Sequence, residues 1–244
     1  MGFSGPIKYF WQSLGSLYYD LFVIATRVNA PWAISLIPWS LAFLWMISII
    51  LLDEDFASRA RDLSFHPFEL IGLPVITAVT MLSAAPATAA LYNAVMRLDN
   101  FESVGWGSFG ATFKRYFFVA WRLAIVDLCI LYVLLLAMLF YWNQGNNIFQ
   151  VLAVMVLYPI IFWLMIQPYL FPLMLALDLN VRDTLRNAAV LTLGNFGASV
   201  SLLVITTISI VLGFFLNVLA YLLGPAVVAM VGVRVVRDLL KQYE

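Results

Sequence analysis

Two charged residues interrupt one apolar run of this chain and are its clearest candidates for chemistry. Arg122 and Asp127 both lie in the run from Phe117 to Trp142. Asp127 comes about ten residues after the start of the run, roughly 15 Å along a helix. A spacing of five residues places the two side chains on different helix faces, so they do not form the usual within-helix pair. Asp127 therefore needs another partner, a water-filled cavity or a proton.

A second polar feature lies in another apolar run, at about 148–177. Gln167 precedes Pro168 there, and other prolines occur in the same run. Because proline lacks the N–H that bonds the carbonyl four residues back, we expect this helix to be broken in its inner half. Broken helices line the binding sites of many transporters. The candidate intramembrane polar site comprises Arg122, Asp127, Gln167 and Pro168. The alternatives are a purely structural hydrogen bond for Asp127 and a kink that binds nothing.

The composition indicates that lipid surrounds these residues. Of 244 residues, 64% are hydrophobic and 11% are charged, and the mean hydropathy is +0.97. A soluble domain has about a quarter charged residues. Because a spanning helix needs about 20 mostly apolar residues, the sequence predicts an all-α integral membrane bundle of about six transmembrane helices. The predicted spans are about 31–52, 70–92, 117–142, 148–177, 196–215 and 218–236.

The basic residues predict how the bundle is oriented. Of the 13 Lys and Arg residues, only Arg59 and Arg61 fall in a predicted outward segment, at about 53–69. All the others fall in gaps that would face the cytoplasm or near the cytoplasmic end of a predicted span, and Lys and Arg concentrate on that side in membrane proteins. We therefore expect a multi-pass membrane protein with both termini in the cytoplasm.

Residues 1–30 are predicted to form an amphipathic helix that precedes the six-helix transmembrane domain at 31–244. Apolar side chains recur at intervals of three and four, but Lys8, Asp20 and Arg27 interrupt them too often for an unaided span. Two arrangements fit this pattern. The helix lies flat in the cytoplasmic interface, or it packs against the bundle.

Two predicted inward segments carry basic residues beside aromatic or aliphatic ones. The first covers about 93–116, and the second covers about 178–189, where Asn180 can cap a short helix with Asp183 at its third position. Aromatic and basic side chains together are typical of membrane interfaces. These cytoplasmic interfacial segments are predicted to contact lipid or a partner protein. The candidate surface residues are Trp106, Phe109, Phe113, Lys114, Arg115, Arg182 and Arg186.

Residues 83–90, in the second predicted span, almost all have small side chains. Small side chains let helix backbones approach closely in lipid, where packing drives helix association. This pattern favours close helix packing over a substrate passage.

Other patterns exclude most catalytic classes. The formal net charge of zero gives no general attraction for nucleic acid. The chain has no phosphate-binding Gly-rich loop and no HExxH, CxxC or GxSxG motif. Its single cysteine, Cys129, and single histidine, His66, do not make a metal site. The sequence therefore predicts no catalytic residue, no cofactor and no metal, and it indicates no particular soluble ligand.

Several short strings resemble a known family. These strings are Pro86–Tyr92, Pro172–Asp178 and Asp183–Ala188, with Phe109, Phe113, Lys114 and Trp121 between the first two. In their order and hydropathy, over about residues 10–240, the chain resembles the YesL-type family of bacterial integral membrane proteins, a domain of unknown function. The outward loop at 53–69 is longer than in the usual pattern. The resemblance implies a location in the bacterial plasma membrane and an accessory role beside carbohydrate ABC importers, and it transfers no functional residues.

Together these observations predict a non-catalytic membrane accessory or assembly subunit. Its expected partners are membrane lipids and another membrane protein or complex. The alternative is a small secondary transporter that uses Asp127, Arg122 and the proline-broken fourth span.

Overall fold

The structure is a computed structural model that describes residues 2, 4–53, 55, 58–59, 71–216 and 218–242. The chain is 91% helical, and the described part contains no strand. The helices are α1 (Ser4–Val23), a π-helical segment (Ile24–Asn29), α2 (Ala30–Leu52), α3 (Leu73–Asp99), α4 (Trp106–Asn143), α5 (Asn147–Ala176), α6 (Val181–Gly194), α7 (Phe196–Leu216) and α8 (Val218–Leu240). Arg61, His66 and most of the predicted outward segment lie outside the described residues.

The expected all-α fold is confirmed, and four or five helices are long and apolar enough to span a membrane, but the predicted count of six spans is not confirmed. Within the described residues, four helices are long and apolar enough to cross a membrane: Ile24–Ser48, Leu73–Asp99, Trp106–Asn143 and Asn147–Ala176. Helix α6 and residues Phe196–Val211 of α7 add a fifth only if this pair, bent by 107°, forms a single span. The predicted spans at 196–215 and 218–236 correspond to α7 and α8, and within the described residues neither helix is among these four.

The N-terminal helix packs against the bundle, which is the second of the two arrangements expected for it. Helix α1 continues through the π-helical segment into α2 and lies against α8. The Tyr9 hydroxyl donates to Asp238, and Arg234 Nη1 donates to Ser13 Oγ at 3.1 Å. Positions rise along α1 as they fall along α8, so the two helices are antiparallel. Ser13 is fully buried in this contact.

Helix α3 lies at the centre because its side chains are small. Ala84, Ala85, Ala87, Ala89 and Ala90 are all buried, and α3 packs against α2, α4, α5 and α8. Small side chains let these neighbours approach closely. The prediction of helix packing for this stretch is confirmed.

The predicted inward segment at 93–116 is not a separate element, which corrects the expected interfacial helix. Helix α3 continues to Asp99, and α4 begins at Trp106, where Gly105 is the N-cap and its N–H donates to Ser108 Oγ at 3.1 Å. Helix α4 has 38 residues, or about 57 Å, against a hydrocarbon thickness of about 30 Å. The segment therefore consists of the ends of two long helices that extend past the hydrocarbon core.

The expected break in the fourth span is wrong, because α5 is a continuous helix that contains Pro159, Pro168 and Pro172. Each proline removes one hydrogen bond but has a φ angle that suits a helix. Pro168 and Pro172 are both buried, so the packing of neighbouring helices keeps this part of α5 helical.

Candidate intramembrane polar site

Helices α4 and α5 form an antiparallel hairpin that brings the middle of each to the same level. Asp127 lies 16 residues before Asn143, the end of α4, and Trp163 lies 16 residues after Asn147, the start of α5. Both positions are therefore about 24 Å from the hairpin turn along their helices. With a hydrocarbon thickness of about 30 Å, this level falls inside the apolar layer.

Asp127 accepts two hydrogen bonds from α5. Trp163 Nε1 donates to Asp127 Oδ1 at 2.7 Å, and Gln167 Nε2 donates to the same oxygen at 2.6 Å. Trp163 and Gln167 are four residues apart, so both face α4 from consecutive turns. The amide nitrogen of Gln167 also lies 3.4 Å from the Trp163 carbonyl oxygen, which orients the amide group. We call these three residues the Asp127 site.

The second carboxylate oxygen of Asp127, Oδ2, distinguishes this site from a purely structural hydrogen bond. Asp127, Trp163 and Gln167 are only partly buried, and no described residue donates a hydrogen bond to Asp127 Oδ2. Both donors to Oδ1 are neutral groups, so they do not balance the charge of an ionised carboxylate. The site can therefore hold a proton on Oδ2, or accept a hydrogen bond or an ion pair from another molecule.

The structure assembles two of the four residues predicted for this site. Asp127 and Gln167 are in contact, whereas Arg122 is exposed on the surface of α4. Pro168 is buried, and its carbonyl oxygen lies next to Gly232 of α8. The described hydrogen bonds of Asp127 join it to neither Arg122 nor Pro168. Arg122 precedes Asp127 by five residues and Pro168 follows Gln167 by one, and residues at these spacings on a helix do not share a face.

Sequence reasoning missed Trp163. A signal was present, since Trp163 precedes Gln167 by four residues and its indole N–H can only donate a hydrogen bond. A buried indole N–H normally finds an acceptor. In an apolar helix pair, the one carboxylate at the same level is the natural acceptor, but the level becomes known only once the hairpin partner is known.

The residues predicted to form an interfacial surface divide into two groups. Phe109 is only 6% exposed and lies in a core cluster with Ala87 and Ala90, against which Phe113 also packs. These two phenylalanines are therefore core residues, because the small side chains of α3 leave room for their rings. The exposed members are Trp106, Lys114, Arg115, Arg182 and Arg186.

The exposed basic residues lie near an ion pair that joins α4 to the loop after α5. Arg115 Nη2 is 3.1 Å from Asp178 Oδ2, and the Tyr116 hydroxyl donates to Asp178 Oδ1 at 2.8 Å. Helix α6 begins just after this loop, and its predicted cap is confirmed, since the Asp183 N–H donates to Asn180 Oδ1 at 2.9 Å. We call Trp106, Lys114, Arg115, Arg182 and Arg186 the basic end surface.

A buried ion-pair network at the same end of the bundle was not predicted. Asp99 Oδ1 accepts from Arg234 Nε at 2.9 Å, and Asp99 Oδ2 accepts from Arg237 Nη1 at 2.6 Å. The side chains of Asp99 and Arg234 are 13% and 17% exposed. Arg234 therefore holds α3, α8 and α1 together through Asp99 and Ser13.

No known protein family, curated protein or solved structure matches this chain. The likeness to the YesL-type family therefore rests on the short strings described above. Among the described residues, no three His, Cys, Asp or Glu side chains are grouped so that they could hold a metal ion.

Proposed function

We propose that this chain is a non-catalytic subunit of a bacterial plasma membrane complex that binds another membrane protein at the Asp127 site. The observation that supports the proposal is a partly buried carboxylate, at the level of the hydrocarbon core, whose Oδ2 accepts no hydrogen bond from a described residue. Polar and ionisable residues in spans face other helices or water rather than lipid tails. A partner helix satisfies this requirement.

The chemistry of the site indicates what the partner should provide. Trp163 and Gln167 donate only to Oδ1, so a Lys, Arg or hydroxyl of the partner can reach Oδ2. The apolar side chains of Val126 and Leu164 are exposed beside the site, and they suit contact with an apolar helix. An ion pair inside the bilayer is both favourable and selective, because an unpaired charge there is costly.

The basic end surface provides a second contact in this proposal. Its exposed aromatic and basic residues fit either anionic lipid headgroups or a cytoplasmic part of the partner. The resemblance to the YesL-type family makes a carbohydrate ABC importer the first complex to test.

Affinity purification from membranes in mild detergent tests the proposal. Asp127→Asn keeps an acceptor for Trp163 and Gln167 but removes the charge, so the variant should fold. The amount of partner that co-purifies with it should fall at least about tenfold, which corresponds to about 1.4 kcal/mol of binding free energy. Cys129→Ser, an exposed position on the same helix, is the matched control and should recover as much partner as the wild type. Equal recovery with Asp127→Asn, in a variant that elutes and melts like the wild type, would contradict the proposal.

Cross-linking locates the contact because the chain has a single cysteine, Cys129. In a Cys129→Ser background, Ile130→Cys introduces a thiol three residues after Asp127, on the same face of α4. This thiol should cross-link to the partner, whereas the native Cys129, two residues from Asp127 and on another face, should not. Cross-linking from Cys129 alone would place the partner elsewhere.

A small secondary transporter is the second candidate, and the same carboxylate supports it. An intramembrane acid that exchanges a proton is typical of ion-coupled transport. Here Asp127 and Gln167 would carry the function, without Arg122 and without a broken helix. In reconstituted vesicles, Asp127→Asn should abolish proton-coupled flux under this alternative. Flux that is unchanged in Asp127→Asn, or absent from the wild type, argues against it.

A further inference from the structure

A cleft opens between α3, α5 and α8 at the end of the bundle that carries Asp99. It has a volume of about 310 Å³, and its walls include Met96, Val233 and Leu240. Ala176, the last residue of α5, lies at its edge. Pockets of about this volume hold small organic ligands or parts of larger ones. The walls indicate a ligand with an apolar portion.

The rim of the same cleft is polar and basic, with Asn100, Arg237 and Lys241. Arg237 is held in place, since its Nη1 donates to Asp99 at 2.6 Å and its Nη2 donates to Asn100 Oδ1 at 3.2 Å. About a third of the Arg237 side chain stays exposed, and Lys241 is exposed. The rim therefore presents a guanidinium group that hydrogen bonds hold in place and an ammonium group on a long, exposed side chain.

The charges at this end of the bundle favour an anion. Asp99 and Asp238 contribute two negative charges, and Arg234, Arg237 and Lys241 contribute three positive charges. The C-terminal ends of α3, α5 and α8 also meet here, and helix dipoles place partial negative charge at such ends. Among the described residues, the cleft itself is lined by two basic side chains, Arg237 and Lys241, and by no acidic one, so the full positive charges at the rim are the ones that a ligand contacts.

We propose that this cleft binds an anionic phospholipid of the cytoplasmic leaflet. The phosphate contacts Lys241 and the exposed edge of Arg237, and the glycerol and first acyl carbons contact the apolar walls. The distribution of Lys and Arg in the sequence places this end of the bundle at the cytoplasmic surface, where anionic headgroups attract basic residues. The joint presence of an apolar wall and a basic rim selects a phospholipid over a free anion.

Native mass spectrometry of the purified full chain tests this site, with phosphatidylglycerol and phosphatidylcholine as probes. The wild type should retain phosphatidylglycerol in preference to phosphatidylcholine. Lys241→Gln should weaken phosphatidylglycerol binding about fivefold, the attraction of one basic residue near an anionic headgroup. Lys8→Gln makes the same charge change at an exposed position of α1 that does not line the cleft, and it should bind like the wild type. Ala176→Trp should block the cleft and abolish retention with no change of charge.

Three results would overturn the proposal. Equal retention of the two lipids would show that the rim does not select charge. An equal loss in Lys8→Gln and Lys241→Gln would show general attraction of lipid to the surface. Displacement of phosphatidylglycerol by millimolar inorganic phosphate would show a site for free anions. If Ala176→Trp has the melting temperature of the wild type, its loss of binding comes from the blocked cleft and not from misfolding.

Discussion

Gly232 of α8 lies against the carbonyl oxygen of Pro168 in α5, so that a Cβ atom at residue 232 would be 3.3 Å from this oxygen. The carbonyl would normally accept from the N–H of residue 172, but Pro172 has none. Glycine lets α8 approach closely enough for its Cα–H to face the carbonyl, a weak but favourable contact. The close approach of α8 thus compensates for a hydrogen bond that proline removes from α5.

Substitution of Gly232 should therefore weaken the contact between α5 and α8. The Cβ of Gly232→Val would also lie 3.6 Å from Tyr92 Cε1 and 3.8 Å from Pro172 Cγ. Forcing extra methyl groups into packed helices costs about 1–3 kcal/mol, so thermal unfolding in detergent should show a clearly lower melting temperature. Gly232→Ala should show a smaller decrease in the same assay.

Gly110→Ala provides the control for helix propensity. A Cβ at residue 110, inside α4, would meet no atom within 4 Å. Replacing a helical glycine with alanine there should stabilise the protein by about 0.5–1 kcal/mol. A melting temperature for Gly232→Val at or above that of the wild type would contradict the packing described for α8.

Removing the carboxylate of Asp99 should destabilise the protein more than removing an exposed one. Asp99→Asn leaves Arg234 largely buried without its ionic partner, and hydrogen bonds to charged groups contribute about 1.5–3 kcal/mol. Glu102→Gln breaks the ion pair with Arg97, which is much more exposed, and should cost less than about 1 kcal/mol. Similar losses for the two variants in chemical denaturation would argue against a structural role for the Asp99 network.

The buried pair of Tyr169 and Ser199 should show energetic coupling between α5 and α7. Their hydroxyl oxygens are 2.9 Å apart, and both side chains are fully buried. Ser199→Ala should cost about 1–2 kcal/mol, because it removes the hydrogen-bond partner of the buried Tyr169 hydroxyl. Tyr169→Phe should cost less, because Ser199 Oγ still donates to the Asn195 carbonyl oxygen at 3.1 Å. The double variant should cost less than the sum by about 1 kcal/mol in a double-mutant cycle. Strict additivity would mean that the two groups do not interact.

The cap of α6 can be tested locally. Asn180→Ala removes the acceptor for the Asp183 N–H and should cost about 1 kcal/mol of helix stability. Hydrogen exchange should speed up in the first turn of α6, while the middle of α5 stays protected. Asn180→Ser keeps a capping acceptor without setting a second carboxylate against Asp183, to which the Asn180 amide donates at 2.7 Å. This variant should preserve the protection, so faster exchange in both variants would rule out capping as the cause.

Several features followed from the sequence because they depend on local order along the chain. An apolar run in lipid must form a helix, since no other open structure satisfies its backbone hydrogen bonds. This argument alone predicts helices over most of 31–52, 117–142 and 148–177. The Asn180 cap is equally local, since donor and acceptor are three residues apart. The small residues at 83–90 indicated close packing without indicating which helices would meet there.

The tertiary structure decided the contacts between residues that are distant in sequence. Arg234 and Asp99 are 135 residues apart, and Trp163 and Asp127 are 36 apart. Periodicity reveals the face of a helix on which a residue lies but not which neighbour that face meets. Phe109 illustrates the limit, because its spacing suits an interface, yet the small side chains of α3 make room for it in the core. The continuity of α5 likewise depends on a neighbouring glycine, Gly232, which no local rule connects to its prolines.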